Sequence, residues 1–180
     1  VLANVREGPD KIPDVSHVCT WPGITQARLQ LNGEEEELRQ QGVAKFEEMM
    51  MESEKPELRG QARELLANYY RRQEMTEKEI EVYERYIEKF PDEQVIPQLK
   101  MAQALAMQRL DQQEKAEDLF EEGASGMKAQ IDEELNQEKQ AQMMNDLARM
   151  YQAFGRIDKA EETLRQIMAN NPQTRFAINA

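Results

Sequence analysis

From Glu34 to about Met168 the apolar residues recur at steps of three and four, and this spacing constrains the fold more than any other feature of the chain. Leu58, Ala62, Leu65, Leu66, Tyr69 and Tyr70 mark one helix face, and Ile80, Tyr83, Ile87 and Phe90 mark the next. An α-helix turns every ~3.6 residues, so such positions line one stripe that must be buried against a neighbour. Pro91, Pro97 and Pro172 fall where helices should stop or begin, because proline has no amide hydrogen to give a helix interior. Thr76 with Glu79, and Asp158 with Glu161, have the spacing of a capping box at a helix start.

Residues 1–33 differ from the rest. They hold Pro9, Pro13 and Pro22 together with Gly8, Gly23 and Gly33, and are expected to form an irregular arm. Ala27, Leu29 and Leu31 alternate with polar residues, a weak strand-like pattern that equally suits an extended segment. The arm can fold back over the helix that starts at Glu34, or Trp21 and this alternating set can dock on a neighbour.

Composition removes several function classes. With 35 acidic and 23 basic residues the net charge is −12, which repels a phosphate backbone, so nucleic acid is not an expected partner. No stretch approaches the roughly 20 apolar residues of a membrane span. The single cysteine, Cys19, excludes an internal disulfide framework and a multi-cysteine metal site, and Ser16, His17 and Val18 before it lack the small residue that precedes a lipidated cysteine. His17 and Cys19 stand together on the arm without the third group and rigid pocket that an activated thiolate needs. Glu34 to Glu37 read as the first turn of a helix, where carboxylates are favoured, rather than as a cation site, and Met49 to Met51 read as core filler. No catalytic residue, cofactor or metal is therefore expected, and the chain is not expected to be an enzyme.

The end of the chain carries a specific pattern. Leu147, Ala148, Tyr151, Gly155, Ala160, Leu164, Ile167 and Pro172 fall at offsets that resemble the tetratricopeptide repeat (TPR), a helix-turn-helix of about 34 residues. An earlier unit has Leu66, Ala67, Tyr70, Tyr83, Tyr86 and Pro91 at matching offsets, with Glu79 where the family has Ala. A middle unit offers Ala104, Met107, Ala116, Phe120 and Gly123, with Gln103 where Leu is expected. Paired small residues, Ala104 with Ala116 and Ala148 with Ala160, let antiparallel helices approach closely. Ala116 to Ala160 spans ten residues more than one repeat, and Met127, Ile131 and Leu135 favour a lengthened helix as the reason. Leu38, Gly42, Phe46, Met49 and Met50 give one more helix, ending near Pro56, that looks like half a repeat.

The resemblance implies an all-α fold, a TPR-like α-α superhelix of stacked antiparallel helix pairs with an irregular N-terminal arm. The expected boundaries are the arm at 1–33 and the repeat domain at 34–180, with units at about 34–56, 59–92, 97–130 and 141–174. The run from Glu88 to Glu93 is similar to that of bacterial members, which implies bacterial cytoplasm or periplasm without choosing between them.

In the family, the first helix of each pair lines a concave groove that holds a peptide or protein. Mapped here, the groove positions are Gln61, Glu64, Asn68, Arg71 and Arg72, then Gln98, Met101, Leu105, Gln108 and Arg109, then Gln142, Asn145, Arg149, Gln152 and Ala153. Asn68, Arg71, Arg72, Met101, Leu105, Arg109, Asn145, Arg149 and Gln152 are the candidate protein-binding residues. Arg71, Arg72, Arg109 and Arg149 either recognise an acidic segment or terminal carboxylate, or offset the negative ends of their helices and stay solvated. The Lys and Asn carboxylate clamp of some members is not expected, because Glu64 stands where the clamp has Lys. The implied function is a protein–protein interaction scaffold or adaptor. The alternative is a structural subunit of a larger assembly, such as one of the cell envelope, docked through the arm. A homo-oligomer is compatible with both. Phe176 and Ile178, beyond the last unit, are left to pack on its edge or to meet a partner.

Overall fold

A computed structural model describes residues 22–174 and Phe176. Trp21, His17, Cys19 and Ile178 lie outside the described residues. The described residues form eight helices and no strand: α1 (Pro22–Leu31), α2 (Glu36–Glu52), α3 (Pro56–Arg72), α4 (Thr76–Lys89), α5 (Ile96–Gln108), α6 (Gln113–Glu133), α7 (Gln137–Ala153) and α8 (Ile157–Asn170). The chain divides into two compact parts, Val1–Lys45 and Phe46–Ala180, with the boundary inside α2.

In the first part the structure corrects the expectation of an irregular arm. Residues 22–31 are helical, with Pro22 at the first position, where its missing amide hydrogen costs nothing. Ala27 and Leu31, four apart, are buried, whereas Leu29 is exposed, so the alternation was one helix turn seen as a strand. A Cβ at Gly42 of α2 would stand 2.6 Å from the Leu31 amide nitrogen and 2.9 Å from the Ala27 carbonyl oxygen. Only glycine permits so close a crossing. Ala27 and Leu31 are thus core residues, not docking residues.

In the second part, α3 to α8 pack each on the next in chain order, and α5 also meets α7. The core runs through Met101, Phe120, Met127, Leu147, Tyr151 and Ile167, with Phe120 stacked on Phe154 at 4.0 Å between ring centroids. Phe176 packs against this core. The small residues Ala104, Ala116, Ala148 and Ala160 are all buried. Helix α5 comes close to α6 at Gly123, where a Cβ would lie 2.6 Å from the Pro97 carbonyl oxygen.

Three helices end in the same way, which shows the repeat at the level of the backbone. Glu74, Asp111 and Gly155 follow α3, α5 and α7 with φ of 57°, 56° and 86°. Beyond each, an amide reaches back five residues: Met75 to Tyr70 at 2.9 Å, Gln112 to Met107 at 3.1 Å and Arg156 to Tyr151 at 2.8 Å. This is the Schellman ending, which satisfies carbonyls left free by the last turn and needs one left-handed residue.

The second helices end alike where proline follows. Phe90 and Asn171 cap α4 and α8 with nearly the same backbone angles, each amide donating four residues back, to Tyr86 and Ile167. At the corresponding place in the middle unit stands Lys128 rather than proline, and α6 runs on to Glu133. Met127 and Ile131 are buried on that extension, as expected, while Leu135 lies beyond it and is exposed.

Neither capping box forms. The N-cap of α4 is Met75 and that of α8 is Arg156, and neither end has a side-chain cap hydrogen bond. Glu79 is instead drawn inward by two arginines, and Glu161 pairs with Arg165 on its own helix. The start of α7 does have a side-chain cap, Asn136 accepting from the Lys139 amide at 2.9 Å.

Candidate functional site

The site is built around a buried carboxylate. Glu79 has no exposed surface, although it stands where the repeat pattern places a small residue. A buried charge must be paired and hydrogen-bonded to persist. Arg71, in the last turn of α3, donates to Oε1 from Nε at 2.9 Å and from Nη2 at 2.7 Å. Arg109, immediately after α5, donates from Nη2 to Oε2. Glu79 therefore joins the two helices of its own pair to the first helix of the next.

Further hydrogen bonds hold the arginines in place. Arg71 donates to Asn68 Oδ1 at 3.1 Å and to the Tyr83 hydroxyl at 3.0 Å. Burial works against the charge of Arg71, but its bonds to Glu79 and the neighbouring Tyr83 outweigh this and hold it above its usual value. Burial pushes the Tyr83 hydroxyl up, keeping it neutral and able to accept. Both guanidiniums keep an open side, with side-chain exposures of 47% for Arg71 and 43% for Arg109.

That open side faces a groove of about 660 Å³ across α3, α5 and α7, lined by Arg71, Ala102, Leu105, Gln108, Arg109, Met150 and Ala153. Five of these seven stand at expected groove positions; Ala102 and Met150 do not. Met101 is corrected: it is fully buried, its Cγ 2.8 Å from where a Cβ on Gly123 would be, and it belongs to the core. Asn68 lies beside the groove, holding Arg71. Arg72 turns back on its own helix, with Nε 3.3 Å from the Asn68 carbonyl oxygen. Asn145 is half-buried, Arg149 and Gln152 are exposed on α7, and none of the three lines the groove.

A second polar cluster is structural. Arg59 pairs with Glu93 and lies 4.2 Å over the Phe90 ring, and Tyr86 donates to Glu93 Oε2 at 2.6 Å. Burial raises the Glu93 carboxyl, but the hydrogen bonds from Tyr86 and Arg59 outweigh it, so the group sits below the ordinary carboxylate range. Away from the groove, bases pair with acids across neighbouring pairs: Arg85 with Glu47, Lys89 with Glu52 and Lys159 with Glu121.

The family model described as tetratricopeptide repeat matches residues 61–93 and 146–174. The chain carries tetratricopeptide repeats. The matched stretches are α3–α4 and α7–α8; the unmatched pair, α5–α6, is the one in which Gln103 and Lys128 depart from the pattern, although its turn geometry is the same. No curated protein and no solved structure matches the chain. TPR units are non-catalytic and generally mediate protein–protein interaction. Among the described residues no helix is long and apolar enough to cross a membrane, and no group of three or more His, Cys, Asp and Glu side chains could hold a metal ion.

Proposed function

We propose that the chain is a scaffold or adaptor whose TPR units, about 59–92, 97–130 and 141–174, hold a segment of a partner protein in the groove across α3, α5 and α7. The observation that carries this reading is the lining. Residues from three successive first helices meet there, and apolar Leu105 and Met150 are combined with half-exposed Arg71 and Arg109. Apolar contact with a few fixed polar groups is what a preformed binding surface offers. Asn68 takes part by holding Arg71, while Arg149 and Gln152 on α7 extend the surface beyond the groove.

The test places a photo-crosslinking residue in the full chain at Gln108, in the groove, or at Glu162, exposed on α8. The reading expects a discrete partner adduct from position 108, lost when Leu105→Glu and Met150→Glu are added, and none from position 162. Equal adducts from both positions, or an adduct at 108 that survives those substitutions, refute it.

A further inference from the structure

We infer that the groove accepts a peptide segment of a partner protein in which one carboxylate sits beside an aliphatic side chain, and that buried Glu79 limits the ligand to a single negative charge. This rests on the groove being a partner surface, and it specifies the chemistry of that partner.

The chain has 35 acids against 23 bases, yet no acid lines the groove. Some bases elsewhere have a carboxylate of their own, as Arg85 has Glu47 and Lys89 has Glu52. Here Arg71 and Arg109 share one carboxylate, so two positive charges meet one negative and the cluster is left at +1. Glu79 is wholly buried, so the uncompensated charge is presented by the two guanidiniums on the groove side.

A guanidinium has five N–H donors. Arg71 gives two to Glu79, one to Asn68 and one to Tyr83, keeping one. Arg109 gives one to Glu79 and one, at 3.4 Å, to the Leu105 carbonyl oxygen, keeping three. Those left over can take a carboxylate by charge-assisted hydrogen bonds, and the arginines are already fixed, which lowers the ordering cost of binding. Leu105, Met150 and Ala153 beside them supply the contact for an aliphatic neighbour.

The same charge balance sets an upper limit on the ligand. A phosphate brings close to two negative charges, and no second free base lines the groove to meet the extra one. The ends of α3 and α5 also bring the negative poles of two helices to the same place.

The test is a titration of the full chain with capped hexapeptides of Gly and Ser whose central pair is Leu-Glu, Leu-Gln, Ser-Glu or Leu-phosphoserine, followed by NMR of the Arg71 and Arg109 Nε–Hε groups and the Met150 methyl. Leu-Glu should move all three signals saturably below about 10 mM, and should bind roughly tenfold tighter than Leu-Gln or Ser-Glu, with phosphoserine no better than Glu. Glu79→Gln, which takes the cluster to +2, should make the phosphoserine peptide bind roughly tenfold tighter than it does to the unaltered chain. If that variant does not fold, Arg109→Gln, which takes the cluster to zero, should erase the preference for Glu over Gln. Equal binding of Leu-Glu and Leu-Gln, a phosphoserine preference in the unaltered chain, or no movement of the groove signals overturns the inference. If groove crosslinking at position 108 succeeds while these peptides fail, the groove reading stands and the charge rule alone falls.

Discussion

Removing Glu79 should cost less stability than removing the arginine that serves it. Arg71→Ala takes away both hydrogen bonds to Oε1, at 2.9 and 2.7 Å, and leaves a fully buried carboxylate with Arg109 and a long contact of 3.4 Å from the Tyr83 hydroxyl. Breaking a buried ion pair by deleting one partner costs about 3–5 kcal/mol, and Arg109 keeps this case near the lower end, at about 3 kcal/mol. Glu79→Ala orphans no buried charge, because the arginine side chains are 47% and 43% exposed and can turn to water. It also restores the small residue of the repeat pattern, so the cost should be about 1 kcal/mol, mainly lost packing. The double variant should resemble Glu79→Ala alone, giving a coupling of about 2–3 kcal/mol between the two positions. Urea unfolding followed by far-UV circular dichroism measures all four chains. The reasoning is refuted if Glu79→Ala is as damaging as Arg71→Ala, or if the two single costs simply add.

Three further outcomes are expected from the same measurement. Gly60→Ala in α3, where a Cβ meets nothing within 4 Å, should stabilise by about 0.5–1 kcal/mol, while Gly123→Ala, whose Cβ would meet Pro97 backbone, should destabilise by about 1–3 kcal/mol. Glu74→Gly should stabilise by about 0.5–1 kcal/mol by relieving a left-handed non-glycine residue, and Gly155→Ala should destabilise by a similar amount. Because the Glu93 carboxyl is depressed in the folded chain, its contribution is present above the ordinary value of 4.5 and is lost as pH falls through its lower folded value. The unaltered chain should therefore exceed Glu93→Gln in stability at neutral pH, and the gap should close as pH falls below 4.5; a gap constant down to pH ~2 contradicts this.

The sequence reveals the fold where the pattern is dense and hides it where backbone replaces it. Gly155 and Pro172 announce a turn and a stop, but Glu74 and Asp111 make the same left-handed turn without glycine, so only their hydrogen bonds reveal the equivalence. The lengthened α6 is legible twice, in buried Met127 and Ile131 and in the absence of proline at Lys128. Helix α1 was hidden because Pro22 and Gly23 suggest irregularity, although proline at a first helical position is favourable. In the groove, the register of the first helices places Arg71, Leu105, Gln108, Arg109 and Ala153 together, but it counts Met101, which the close approach of α6 at Gly123 buries. The pairing of both arginines with Glu79 had one signal available, an acid at a small-residue position, which requires bases within reach.

That substitution ties the architecture to the surface. A small residue between paired helices serves closeness alone, because it has nothing to offer beyond its own volume. A carboxylate at the same place must recruit bases, and the nearest ones able to reach it come from the last turn of its own first helix and from just past the end of the next. Those are also the places from which side chains reach the groove. Satisfying Glu79 from inside therefore positions two guanidiniums outside, so the residue that departs most from the repeat pattern is also the one that gives this groove its charge.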